Sequence, residues 1–530
     1  MKSQTLADMD SSVSTIDDQF DLGCTGAYAP AQSQLTLSGR RQMSAHHTPE
    51  EIRKGLTHPV IDGDGHWVEY TPVFAEQIRK VTGDLGANGF LQSQRRIPDS
   101  LGMTLEQRTE RGVAMEGFWG RQSTNTRDRA TAMMPRMLYD RLGELGIDFG
   151  IVYPTAGLGI PRIADDATRR AVIRGFNVVT HEYFKDLGDK LTPAAVIPAH
   201  TPDEAIEELE FVTRQLGAKV CMFGSGMRRP ISHAKGAPAD LARYAQSFDQ
   251  LGLDSEYDND PVWQKCRELG VAPTFHTGGR SYGERNSPSN FTFNHIGHFA
   301  AAGHNVAKAL FLGGVTRRFP DLRFAFLEGG VGWGCQLFCD LIEHWERRGA
   351  KGMANMDPTK LNRPLLRELV DKYGYADIAA ELGKRDGWPL EEDFLTGGMP
   401  PDDYIHCQIT RKQDWIDLYA TPYYFGCEAD DRMNAVAFGK AMPLGARINA
   451  IYSSDIGHFD VVDMRDPLPE AFELVEDGLI TESDFHDFVF GNAVRLWGTQ
   501  NPRFFEGTAV AKEAAALLKR GATPLRDTAR

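Results

Sequence analysis

No run of eighteen apolar residues occurs anywhere in the chain, so none of its 530 residues read as a membrane span. A basic excess is also missing. The 58 Lys+Arg against 73 Asp+Glu leave a formal net charge of −15, spread without an acidic tail. Phosphate binding needs a basic face, so nucleic acid is set aside as a partner. Cysteine is scarce: seven residues, an odd number and widely scattered, make no disulfide framework. Cys335 and Cys339, four apart on an expected helix, read as core thiols, because a zinc ribbon would need a second pair. The N-terminus "MKSQTLADMDSSVSTIDDQF" has no apolar segment of the secretory kind. These absences point to a soluble protein of a reducing compartment, expected in the cytoplasm. With 41% hydrophobic residues it can bury a large core.

Residues 1–56 are polar, without a sustained period, and read as a flexible N-terminal arm. From Pro59 onward, short β-branched or aromatic runs alternate with longer amphipathic stretches. Eight strand candidates follow one another: "PVID", "FGIVYP", "AAVIPA", "AKVCMF", "APTFH", "RFAFLE", "YYFGCE" and "INAIYSSD". Helical patterns lie between several of them. "TPDEAIEELEFVTRQLG" opens on an acidic first turn and stops at Gly217, and "PVWQKCRELG" carries Pro261 near its start and Gly270 at its end. Strands alternating with helices imply parallel strands, and eight such units predict a (β/α)8 barrel. An open doubly wound sheet fits less well, since no GxGxxG follows the first strand. Two segments, about 71–147 after strand one and 348–420 before strand seven, are too long for simple loops and read as helical insertions over the barrel. The barrel is expected to span 57–505, with a C-terminal helix and basic tail over 506–530.

Catalytic groups in such a barrel stand at the C-terminal ends of the strands. Strand one ends in "DGDGHWVE", where Asp64 and His66, two apart, face the same side. Strand five ends in His276, strand six in Glu328, strand seven in Glu428 and strand eight in Asp455. Six carboxylate or imidazole groups are thus expected at one mouth. Acidic groups at buried strand ends are costly unless a cation meets them, and this donor mixture suits Zn²⁺, Mn²⁺ or Fe²⁺.

The Asp-x-His of strand one, the strand-five histidine, "LEGGVGW" and "SSDIGH" together resemble the amidohydrolase-related proteins. Within these the likeness is to the group that includes aminocarboxymuconate-semialdehyde decarboxylase and γ-resorcylate decarboxylase. It runs from about Val60 to Phe505 and extends to "DRATAMMP", "LGIDFGIVYPT", "GGVTRRFPDLRFAFLEGG" and "FGNAVRLWG". The resemblance implies that Asp64, His66, His276 and Asp455 hold one divalent metal, zinc first, with manganese or iron as alternatives. It also implies that Asp455 doubles as a proton acceptor. The family's decarboxylases carry a proton-handling histidine at the end of strand six. This chain has Glu328 there, and a carboxylate handles protons only if its pKa rises towards neutrality.

The loop after strand five, "NHIGHFAAAGHNVAKALFLGG", offers His295 and His298 as replacement acid–base groups or as part of a second metal site. His304, further along, reads as helix surface or core. Arg280 in "HTGGRSYG" is a candidate clamp for a substrate carboxylate, because its forked donors match that geometry. Glu69 is expected to orient a ligand from behind, and His458 to brace the loop of the closing motif. The function these readings favour is non-oxidative decarboxylation of a small unsaturated or aromatic carboxylate. A hydrolase using a metal-bound hydroxide on an amide, ester or carbon–carbon bond is the alternative. A non-catalytic partner subunit and a di-iron oxygenase rank lower. Assembly as a homodimer is expected.

Overall fold

The computed structural model describes residues 47–117, 124–231, 236, 238, 245–276, 287–356, 360–384 and 402–521. Arg280, the arm to residue 46, most of the "LTGGMPPDD" loop and the tail beyond 521 lie outside the described residues. Among the described residues ten strands run in chain order: β1 (Ile61–Trp67), β2 (Phe149–Pro154), β3 (Leu191–Ile197), β4 (Val220–Phe223), β5 (Met227–Pro230), β6 (Gln246–Asp249), β7 (Pro273–Phe275), β8 (Phe324–Phe326), β9 (Tyr423–Cys427) and β10 (Asn449–Tyr452). Eight of them form one sheet in the order β1-β2-β3-β4-β7-β8-β9-β10, and every ladder in it is parallel. All eight expected strands are present, and the nearly closed barrel with its helices is a (β/α)8 architecture.

The strands of this sheet are buried almost throughout, β1 over its whole length. That is the condition of a parallel sheet covered by helices, and it is why the strands read as near-continuous apolar runs. The helix Pro202–Gln215 shows how the shell is built. Thr201 caps it by accepting from the Glu204 N–H, Asp203 and Glu204 sit in the first turn, and Ala205, Leu209 and Val212 bury one stripe. Asp260–Leu269 ends where Gly270 turns left-handed at φ 66.

The barrel closes between β1 and β10. Gly63 makes this possible: a Cβ there would stand 2.5 Å from Cγ2 of Ile451. Just past the end of β10, the Asp455 N–H donates to the Asp64 carbonyl of β1 at 3.1 Å, and the His66 N–H of β1 donates to the Ile456 carbonyl at 2.8 Å.

Between β1 and β2 lie the helices Thr71–Ser93, Arg96–Gly102, Leu105–Arg111, Thr126–Met133 and Pro135–Arg141. The pattern "RATAMMPRMLYDRLGELG" thus divides at Pro135, which starts a new helix rather than continuing the old one. Between β8 and β9 lie Gly332–Arg348, Ala350–Met353, Arg363–Tyr373, Ala376–Lys384 and Lys412–Trp415. Arg363–Tyr373 buries none of its residues. Pro49–Gly55, within the polar N-terminal segment, is a helix with a capping box at Thr48 and Glu51, and Ile52 is buried. The antiparallel pair β5–β6 was not legible in the sequence. An ion pair between Arg229 Nε and Asp249 Oδ2 at 3.0 Å joins it, in place of an apolar pattern. No helix among the described residues is long and apolar enough to cross a membrane.

Candidate metal centre

Strand β1 alternates Asp62-Gly63-Asp64-Gly65-His66, and its two glycines leave room for neighbouring chain while the polar side chains turn inward. His276 follows β7, its N–H donating to the Phe223 carbonyl at 3.2 Å. Glu328 and Asp455 follow β8 and β10 with φ of 57° and 51°. Left-handed backbone at a non-glycine residue costs on the order of 1 kcal/mol or more and persists only where surrounding structure enforces it. Beneath these groups Tyr153 donates to Thr274 Oγ1 at 3.0 Å, and Thr274 donates to the Cys221 carbonyl at 2.9 Å.

The side chains meet in one buried cluster. His276 Nε2 lies 3.1 Å from Asp64 Oδ1, 3.2 Å from His66 Nε2 and 3.4 Å from Glu328 Oε2. His66 Nε2 lies 3.5 Å from Asp455 Oδ1, 3.6 Å from Asp64 Oδ1 and 4.0 Å from Glu328 Oε2. Both histidines are fully buried, and none of the three carboxylates has more than 7% of its side chain exposed. His458 Nδ1 is 2.8 Å from Asp455 Oδ1, and its ring stacks on His66 with centroids 3.8 Å apart. On its other side His458 Nε2 meets Thr155 Oγ1 at 3.1 Å. Ligand atoms of Asp64, His66 and His276, and again of His66, Glu328, Asp455 and His458, fall within 4.8 Å of one another.

Burial dominates the electrostatics here. It raises the Asp64 pKa, and it raises that of Asp455 further, with Glu328, Asp460 and Asp64 adding like charge. It drives the His66 pKa well down, with help from His458 and His276, and takes His458 to about 3. His66 and His458 are therefore neutral, the form in which an imidazole can bind a metal. Oδ1 of Asp64 and Oδ1 of Asp455 are enclosed without a well-aligned hydrogen-bond donor among the described residues. Two imidazole edges and three carboxylate oxygens facing one another need a positive charge between them, so the donor set fits a divalent ion.

Beside the cluster opens a cavity of about 650 Å³. His295, His298 and Glu328 line it, with Phe299 and Trp333 as apolar wall. His298 is buried, 5.1 Å from the His295 ring by centroids. His304 is half-buried against Trp333, away from the cluster. Glu428 departs from the expectation of six converging groups. It sits exposed on the cavity rim, together with Asp430, Asp431 and Asp460. Glu69 is buried, and its Oε2 accepts from the Ala156 N–H at 2.8 Å. It thus supports the turn that carries Thr155, the partner of His458, and is one step further from the ligands than expected.

Asp62 escaped the reading of the sequence. Its Oδ1 accepts from the N–H of Ser454 at 3.0 Å and of Asp64 at 3.2 Å, and its Oδ2 from Ser454 Oγ at 2.5 Å. One carboxylate thereby ties the strand ends that carry Asp64 and Asp455. The only signal in the sequence was the period of two that places Asp62 in phase with Asp64 and His66.

A barrel with an imidazole–carboxylate cluster at the C-terminal ends of its strands is the class of protein defined here. Residues 177–376 match the family model described as amidohydrolase, which bears out the resemblance carried by the motifs. No curated protein matches the chain. Among solved structures, the chain is similar to an amidohydrolase from Mycobacterium avium subsp. paratuberculosis K-10 at 16% identity, covering 84% of this chain and 100% of that one with a TM-score of 0.49. A dihydroxybenzoic acid decarboxylase from Polaromonas sp. JS666, with bound manganese and the inhibitor 2-nitroresorcinol, gives 12% identity, 85% and 99% coverage and a TM-score of 0.47. For a 5-carboxyvanillate decarboxylase from Sphingomonas paucimobilis the values are 13%, 83%, 98% and 0.45.

Proposed function

We propose that the protein is a metal-dependent carboxy-lyase acting on a small unsaturated or aromatic carboxylic acid. The observation that carries this reading is the buried cluster of Asp64, His66 and His276, joined through His66 to Asp455, beside a cavity lined by two further histidines. Those four residues would hold the ion. When bound, a divalent ion supplies the positive charge that offsets the carboxylates and stabilises negative charge developing on the substrate.

The chain's own residues do the rest. Phe299 and Trp333 stack against a planar substrate and keep water from its reacting carbon. The bond to the departing carboxylate breaks with its electron pair left on that carbon, which His298 or His295 then protonates as CO₂ leaves. Asp455, within the cluster, takes up a proton from a substrate hydroxyl or from water. A metal-dependent hydrolase is the second reading, favoured by one observation. The rim carries Glu428, Asp430, Asp431 and Asp460, which repel an anionic substrate.

Purified protein should contain a divalent metal, and Asp455→Asn and His276→Ala should each lose it. Labelled CO₂ should be released from a suitable aromatic carboxylate, with His298→Ala slower by about 10²-fold or more. Unchanged metal content in both ligand variants would refute the coordination proposed. Turnover of esters or amides without CO₂ would favour the hydrolase.

A further inference from the structure

We infer that Glu328 is itself a metal ligand, not a proton carrier, and that it biases the site towards manganese or ferrous iron over zinc. This rests on the metal-centre reading above and adds to it a residue and a selectivity. Glu328 Oε2 stands 3.4 Å from His276 Nε2 and 4.0 Å from His66 Nε2, the range at which ligands of one ion approach each other. Its side chain is only 4% exposed, although one edge of the residue reaches the cavity.

The backbone around it is held from three directions. The Leu327 N–H donates to the Phe275 carbonyl and the Gly330 N–H to the Gly426 carbonyl, each at 3.0 Å. The Val331 N–H donates to Asp431 Oδ2 at 3.0 Å. Between these anchors Glu328 adopts φ 57°, a conformation found at five other described non-glycine positions. Of those five, only Asp455 also belongs to the cluster, where it shares a group of candidate ligand atoms with Glu328 and His66. The same strained turn at the ends of β8 and β10 aims two carboxylates at one point. Backbone strain of this kind is kept where a fixed geometry is needed.

The consequence is a donor set of two imidazoles and three carboxylates. Zinc in proteins settles for four ligands, often nitrogen and sulfur. Oxygen-rich sets with more donors suit harder ions, so a third carboxylate strengthens manganese or ferrous iron relative to zinc. A histidine at this position, the pattern of the related decarboxylases, would supply one more nitrogen and reverse that bias.

The test is a competition titration of the chelated full-length protein with Mn²⁺ and with Zn²⁺, in wild type, Glu328→Gln and Glu328→His. Partners outside the coordination sphere cost about tenfold in metal affinity when removed, and a direct ligand should cost at least as much. Glu328→Gln should therefore weaken Mn²⁺ by about tenfold or more and Zn²⁺ by less. Glu328→His should weaken Mn²⁺ while keeping Zn²⁺ near wild type, and the electron paramagnetic resonance of bound Mn²⁺ should change in both. The circular dichroism of the chelated variants reports whether each is folded, and either variant alone suffices for the Mn²⁺ comparison. Wild-type affinity for both ions in a folded variant overturns the inference but leaves the metal centre standing. Failure of wild type to bind either ion overturns both.

Discussion

Strands β8 and β9 lie side by side and each runs out into a glutamate, yet Glu328 enters the buried cluster while Glu428 faces solvent. Register accounts for the difference. The ladder pairs Phe326 with Phe425, so counting onward Cys427 is level with Glu328 and Glu428 comes one residue later. A one-residue offset is enough to change face. The left-handed turn at Glu328 completes the inward aim, and Glu428 has no such turn. The wider contrast is between the β1–β10 side, where polar groups are buried and tied together, and the β9 side, where they are exposed and like-charged.

The sharpest way to press this contrast is at Asp62. Asp62→Ala leaves the Ser454 N–H, the Ser454 hydroxyl and the Asp64 N–H without their acceptor. At about 1–3 kcal/mol for a buried donor left unsatisfied, chemical denaturation should show a loss of at least about 2 kcal/mol. A loss no larger than for a surface residue would break the comparison.

Next comes Glu69. Burial lifts its pKa from 4.5 to about 8, against hydrogen bonds from the Ala156 and Gly157 backbone that lower it. Between those values the folded chain holds a proton that the unfolded chain has released, so stability falls as pH rises from about 4.5 to about 8 and then levels. Glu69→Gln should remove this part of the slope and be the more stable protein above pH 8. Unfolding curves collected from pH 5 to pH 9 check it, and an unaltered slope would count against the account.

The smallest effect belongs to Glu428. Burial, then Asp460, Asp430 and Asp431, raise its pKa to about 7. The side chain is nevertheless exposed, so solvent screening makes the energetic consequence small. Glu428→Gln should keep the metal and shift stability by no more than about 0.5 kcal/mol, in the stabilising direction above pH 7. Loss of metal in this variant would place Glu428 in the cluster after all.

Much of this was legible before any coordinates. The eight strands announced themselves as short β-branched or aromatic runs, since strands covered on both faces carry few polar interruptions. Asp64, His66, His276, Glu328 and Asp455 stood out because ionisable residues closing such runs have few other reasons to be there. Glu428 obeyed the same rule and was misplaced, because register between neighbours is a property of pairing and not of either strand alone. Asp62 was hidden by its partner's distance, 392 residues along the chain. The β5–β6 pair was hidden for another reason: "MRRP" and "QSFD" carry little apolar surface, and an arginine–aspartate contact does the joining.

The closure between β1 and β10 has a consequence for the order in which the molecule is made. The cluster draws on Asp64, in the first strand of the barrel, and on Asp455, just after its last strand. A chain emerging from the ribosome cannot gather these groups until nearly all of it has been synthesised. Capture of the proposed metal would therefore be a late event, and a bound ion would act as a signature that the two ends of the barrel have met.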